Sequence, residues 1–92
     1  MENEAYTKQF PKILKRYRAK STVDLIKEFD NLYQEGKKEL ITGADEVMML
    51  FRLRLISIII LQREGHFLRL DKYRMSGETK FSKMVSMLLQ WS

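Results

Sequence analysis

The sequence predicts an all-α protein, a compact bundle of four to five helices around a long central apolar helix. Three observations carry that prediction. Apolar residues recur at intervals of three and four along most of the chain, capping signals separate the runs, and one stretch, Val47 to Leu61, is apolar on nearly every side of a helix. The chain has 92 residues, 45% hydrophobic and 32% charged, which is enough for one domain with a modest core. No internal repeat or low-complexity run marks a second unit.

The first helix is predicted over 7–19. Tyr6, Phe10, Ile13, Leu14 and Tyr17 fall on one stripe, and Lys8, Lys12, Lys15 and Arg16 fall on others. Pro11 lacks the N–H that a helix interior uses, so the expected start is near Thr7 or later, with Pro11 in the first turn. A second helix is predicted over 22–35. Ser21-Thr-Val-Asp24 has the S-x-x-D form of a capping box, Leu25, Phe29 and Leu32 follow at spacings of four and three, and Gly36 stands where a left-handed cap would end it. Residues 37–41 read as a charged connector.

The third helix is predicted over 43–64. Thr42-Gly-Ala-Asp45 repeats the capping pattern and the next glycine is Gly65, so the helix would be about 30 Å long at 1.5 Å per residue. A helix with no polar face belongs at the centre. The same region also fits a hairpin: Leu55 to Gln62 holds four isoleucines, Arg63-Glu-Gly-His66 offers a turn, and Phe67-Leu-Arg-Leu partly alternates. Propensity and the signal at Thr42 favour the helix. Phe67 to Tyr73 reads as a short helix or an extended connector, and Ser76-Gly77 as a break. The last helix is predicted over 78–91, with Phe81, Met84, Val85, Leu88 and Trp91 on one face and Lys80, Lys83 and Gln90 off it.

Val47 to Leu61 falls short of the roughly 20 residues needed to span hydrocarbon, and Arg52 and Arg54 interrupt it. It is therefore read as a core element. The two arginines point about 200° apart on a helix, so each needs its own solution. One is to run the stem to the surface, and the other is to pair with Asp45, Glu46 or a carboxylate of the second helix.

Little chemistry is available for catalysis. There is no cysteine, hence no disulfide, thiolate nucleophile or Cys-based metal site, which suits a cytoplasmic, intracellular protein. The opening Met-Glu-Asn-Glu is acidic and leads into no apolar run, so no cleaved signal peptide is expected. His66 is the single histidine, and a zinc site needs three or four ligands. No glycine-rich phosphate loop, G-x-S-x-G or H-E-x-x-H occurs. Asp45 and Glu46 fit the positive end of a helix dipole. The expectation is a non-enzyme without cofactor or metal.

Net charge is +5 and unevenly spread. Residues 1–20 carry six basic and two acidic side chains, residues 21–42 three and five, residues 43–65 three and three, and residues 66–92 five and two. The ends are basic and the middle is not. Lys8, Lys12, Lys15, Arg16, Arg18 and Lys20 near one end, and Arg69, Lys72, Arg74, Lys80 and Lys83 near the other, are the candidate nucleic-acid-binding residues. The expected function is a small regulatory protein binding nucleic acid, DNA in preference to RNA, mainly through phosphate contacts. A helix-turn-helix reading of residues 68–85 is weak, because its first helix would span barely two turns. The same cations also suit a solvated face, an acidic protein surface or an anionic membrane surface. The alternative function is a helical adaptor or inhibitor docking on a larger assembly through an apolar face of Met84, Met87 and Trp91, with a homodimer as one form of such docking.

Overall fold

Helix ends in this chain are set by short-range capping bonds, and the computed structural model shows where each falls. It describes residues 2–38, 43–75 and 79–90, with side chains from Phe10 onward. Among these residues there are five α-helices and no strand: α1 (Glu2–Arg18), α2 (Thr22–Lys38), α3 (Ala44–Glu64), α4 (Asp71–Arg74) and α5 (Lys80–Gln90). A 3-10 turn, Leu68–Leu70, leads into α4, so the segment after Gly65 is a short helix rather than a returning strand. The all-α bundle is the observed fold.

The predicted cap at Ser21 is present: its Oγ accepts the Asp24 N–H at 3.2 Å and its carbonyl accepts the Leu25 N–H at 3.0 Å. Gly65 ends α3 at φ 78°, with its N–H donating to the Leu61 carbonyl at 2.7 Å. That conformation favours glycine, and it closes the helix that the hairpin reading would have broken.

Five boundaries differ from the sequence expectation, among them the end of the first helix at Arg18 instead of residue 19. The first helix begins at Glu2 and runs through Pro11, which is exposed. One N–H is lost there, but the stripe on either side of Pro11 is anchored, with the Phe10 ring 5.8 Å from Phe51 and Tyr17 fully buried. The second helix continues past Gly36 to Lys38. Gly36 is buried and helical, and a Cβ there would overlap the Phe81 ring, so the glycine permits a close approach and not a left-handed turn. The third helix starts one residue later than expected, at Ala44, with Gly43 as its N-cap and no side-chain cap; Thr42 lies outside the described residues. The last begins at Lys80, after a reciprocal cap in which the Ser82 N–H donates to Thr79 Oγ1 at 3.0 Å and the Thr79 N–H to Ser82 Oγ at 2.8 Å. Residues 78 and 91 lie outside the described residues.

The central helix α3 packs against α1, α2 and α5, and α5 also packs against α2 and α4. Leu53, Leu55, Ile56, Ile59 and Ile60 of α3 are buried. An aromatic cluster ties α4 and α5 to α2: the Tyr73 ring lies 4.8 Å from Phe29 and 4.7 Å from Tyr33, and Phe81 lies 6.2 Å from Tyr33. The Tyr73 hydroxyl donates to Asp30 Oδ1 at 2.6 Å. Burial and this bond to a carboxylate push the phenol above its ordinary value.

Candidate docking surface

Among the described residues α1, α2 and α5 pack on three sides of α3, and the fourth side is only partly buried. At about 100° per residue, Val47, Leu50, Phe51, Ile58 and Leu61 lie within about 60° of Arg54 on the α3 surface. None of the six is buried, and Val47 is 51% exposed. Buried Leu53, Leu55, Ile56, Ile59 and Ile60 take the remaining directions, and Ser57, also buried, lies at the edge of the sector about 60° from Arg54. This partly open stripe runs about 21 Å from Val47 to Leu61 at 1.5 Å per residue.

Two clefts lie near the stripe, one between α3 and α5 and one on α1 beside the Phe10–Phe51 contact. Arg54 at the middle of the stripe lines the first, of about 320 Å³, with Met84, Met87 and Leu88 of α5. Its Nη1 donates to the Leu88 carbonyl at 3.1 Å, which pins the guanidinium against α5. Phe51 meets Phe10, which with Pro11, Leu14, Lys15 and Arg18 lines a cleft of about 340 Å³. Among the described residues both clefts are lined mainly by apolar side chains, and the charged groups there are basic.

Arg52, two residues away, faces a different neighbourhood. Its Nη2 lies 2.9 Å from Glu28 Oε1 and its Nε donates to the Tyr17 hydroxyl at 2.7 Å, while Lys20 Nζ lies 2.6 Å from Glu28 Oε2. The expected pairing with a carboxylate of the second helix is the observed one. Burial pushes the Glu28 carboxyl up, but the Lys20 hydrogen bond and charge, with Arg52 and Arg16, outweigh it and hold the group below its ordinary value. The network joins α1, α2 and α3.

The candidate cations divide into two sets. Lys20 is paired with Glu28, Arg69 with Glu64 at 3.0 Å and Arg74 with Asp71 at 3.0 Å, and Lys72 Nζ sits 5.0 Å above the Tyr73 ring. Lys12, Lys15, Arg16 and Arg18 are exposed on α1, with Arg16 5.7 Å over the Tyr17 ring, and Lys80 and Lys83 are exposed on α5; Arg69, Lys72 and Arg74 are exposed as well. The Lys8 side chain lies outside the described residues. Met84 is half-buried and Met87 is 59% exposed, both at the open stripe, and Trp91 lies outside the described residues.

Comparison with protein-family models, curated proteins and solved structures returns no match. What the surface can do therefore follows from its own residues. His66 is exposed, and its Nδ1 accepts the Leu68 N–H at 3.3 Å in the turn after Gly65. Among the described residues no group of three His, Asp or Glu side chains is placed to hold a metal ion, and no helix is long and apolar enough to cross a membrane.

Sequence reasoning missed two features. Arg63 donates to the carbonyls of Arg18 at 2.8 Å and Lys20 at 2.9 Å, capping the end of α1 from the end of α3. The open stripe had a signal: a helix apolar all round, with an arginine within the run, needs more cover than three neighbours provide.

Proposed function

We propose that this chain is a non-catalytic docking module that binds a protein partner along the Arg54 side of α3. The observation that carries the reading is the stripe itself, mostly apolar, only partly buried among the described residues over about four turns, and flanked by Phe10, Met84 and Met87. Isolated exposed apolar side chains are ordinary, and Val23, Leu68 and Met75 are of that kind here. A contiguous stripe at the centre of a bundle is not. Methionines at its edge supply side chains that adapt to a partner's shape.

Nucleic-acid binding is the second reading, favoured by Lys12, Lys15, Arg16 and Arg18, which stand exposed on consecutive turns of α1. It ranks second because Lys20, Arg69 and Arg74 are held by carboxylates, and because phosphate does not seek an apolar floor. A photo-reactive residue placed at Val47 or Met87, and for comparison at Gln34 on the exposed side of α2, tests both readings in cells. Protease-sensitive adducts at the first two positions and none at Gln34 support docking. Nuclease-sensitive adducts, or equal labelling at all three positions, would overturn it.

A further inference from the structure

We infer, independently of the docking reading, that α1 is a strap which opens as a unit while α2, α3, α4 and α5 stay folded, and that a polar cluster at its C-terminal end is the fastener.

The packing separates α1 from the rest. Among the described residues the enclosed apolar core takes Tyr17 from α1, and its other members lie between residues 25 and 89. The helix α2 packs on α3 and α5, and α5 packs on α3 and α4, whereas α1 packs mainly on α3. Pro11 removes an N–H from the interior of α1, and Phe10, Lys12, Lys15, Arg16 and Arg18 are exposed along it. A helix of 17 residues with an internal proline is marginal once it leaves its support. Units that bury few apolar contacts open at a lower free energy than the whole domain.

What ties this helix down is largely polar. The Tyr17 hydroxyl accepts from Arg52 Nε at 2.7 Å, and the Glu28 carboxylate holds Arg52 at 2.9 Å and Lys20 at 2.6 Å. Three turns further along α3, Arg63 donates to the carbonyls of Arg18 at 2.8 Å and Lys20 at 2.9 Å and to Thr22 Oγ1 at 3.3 Å. Two arginines of α3 thus fasten residues 17–22, the last turn of α1 and the corner into α2. The side chains of Lys20, Glu28 and Arg52 already reach solvent, at 36%, 20% and 27% exposure. Water can therefore replace these bonds when the strap lifts, and no charge is left buried without a partner. An open strap also takes the α1 cover off Phe51 and Arg52.

Native-state hydrogen exchange of the full chain tests this, read by NMR under conditions where reclosing outpaces exchange. The amides of residues 13–18 should exchange at least about tenfold faster than those of Val85 and Leu89 in α5, and should respond weakly to urea below the unfolding transition, where the α5 amides respond steeply. Val85→Ala should lower the protection of α5 about tenfold and leave that of α1 unchanged. Glu28→Gln and Arg63→Gln should each lower the protection of α1 about tenfold. Equal protection and equal urea dependence of α1 and α5 in the unaltered chain would overturn the strap, as would a loss of α1 protection with Val85→Ala. Protection of α1 that neither Glu28→Gln nor Arg63→Gln changes would overturn the fastener.

Discussion

Arg52 and Arg54 are two residues apart on one helix and live in different surroundings. Arg52 joins Tyr17, Glu28 and Lys20 in a polar network between three helices, whereas Arg54 lies among methionines and leucine and donates to a backbone carbonyl. The difference follows from helix geometry. About 200° of rotation separates a side of α3 that is covered from one that is only partly covered among the described residues. One side holds three helices together, and the other is the surface proposed for docking.

Substitutions at equal chemistry on the two sides should separate most strongly. Ile56 is fully buried, so Ile56→Ala is expected to cost about 2–5 kcal/mol in urea unfolding. Ile58→Ala, partly buried on the Arg54 side, should cost less, about 1–2 kcal/mol. Equal losses would mean that the stripe is covered in solution.

Next in size is the polar network. Arg52→Met leaves the partly buried Glu28 carboxylate without its guanidinium and is expected to lose about 1–3 kcal/mol, by the same unfolding assay. The network also sets an acid limb. The Glu28 carboxyl is held below its ordinary value of 4.5, so its stabilising contribution is present above that pH and is lost as pH falls through the lower folded value. Glu28→Gln should flatten stability against pH in that window, and an unchanged slope would remove the network from the account.

A smaller effect is expected where α5 approaches α2. Alanine is favoured over glycine in a helix by about 1 kcal/mol, yet Gly36→Ala should destabilise by about 1 kcal/mol net, because its Cβ displaces the Phe81 ring. In a Phe81→Ala background the sign should reverse. Failure to reverse would mean that the ring is not what excludes the methyl group.

Periodicity made the helices legible because the covered side of each follows the 3.6-residue repeat. Leu25, Phe29 and Leu32 are buried as their spacing predicts, and Ser21 and Gly65 cap as their types predict. Gly36 misled because a glycine that admits an aromatic ring looks the same in sequence as one that ends a helix. Pro11 misled because its cost is local, while the contacts that offset it, Phe10 with Phe51 and Tyr17 with Arg52, come from far along the chain. The candidate surface was only partly legible. Met84 and Met87 were expected at an apolar face, but the floor they border comes from α3, and only packing shows which side of an all-apolar helix is left over.

The most direct measurement is a methyl-resolved NMR titration of the full chain with a partner captured by the cross-links at Val47 or Met87. Docking along the Arg54 side predicts shifts for Val47, Ile58, Leu61, Met84 and Met87, with Ile56, Ile60 and Leu89 in the enclosed core unmoved. Shifts confined to α2, or shared equally between Ile58 and Ile56, would contradict it.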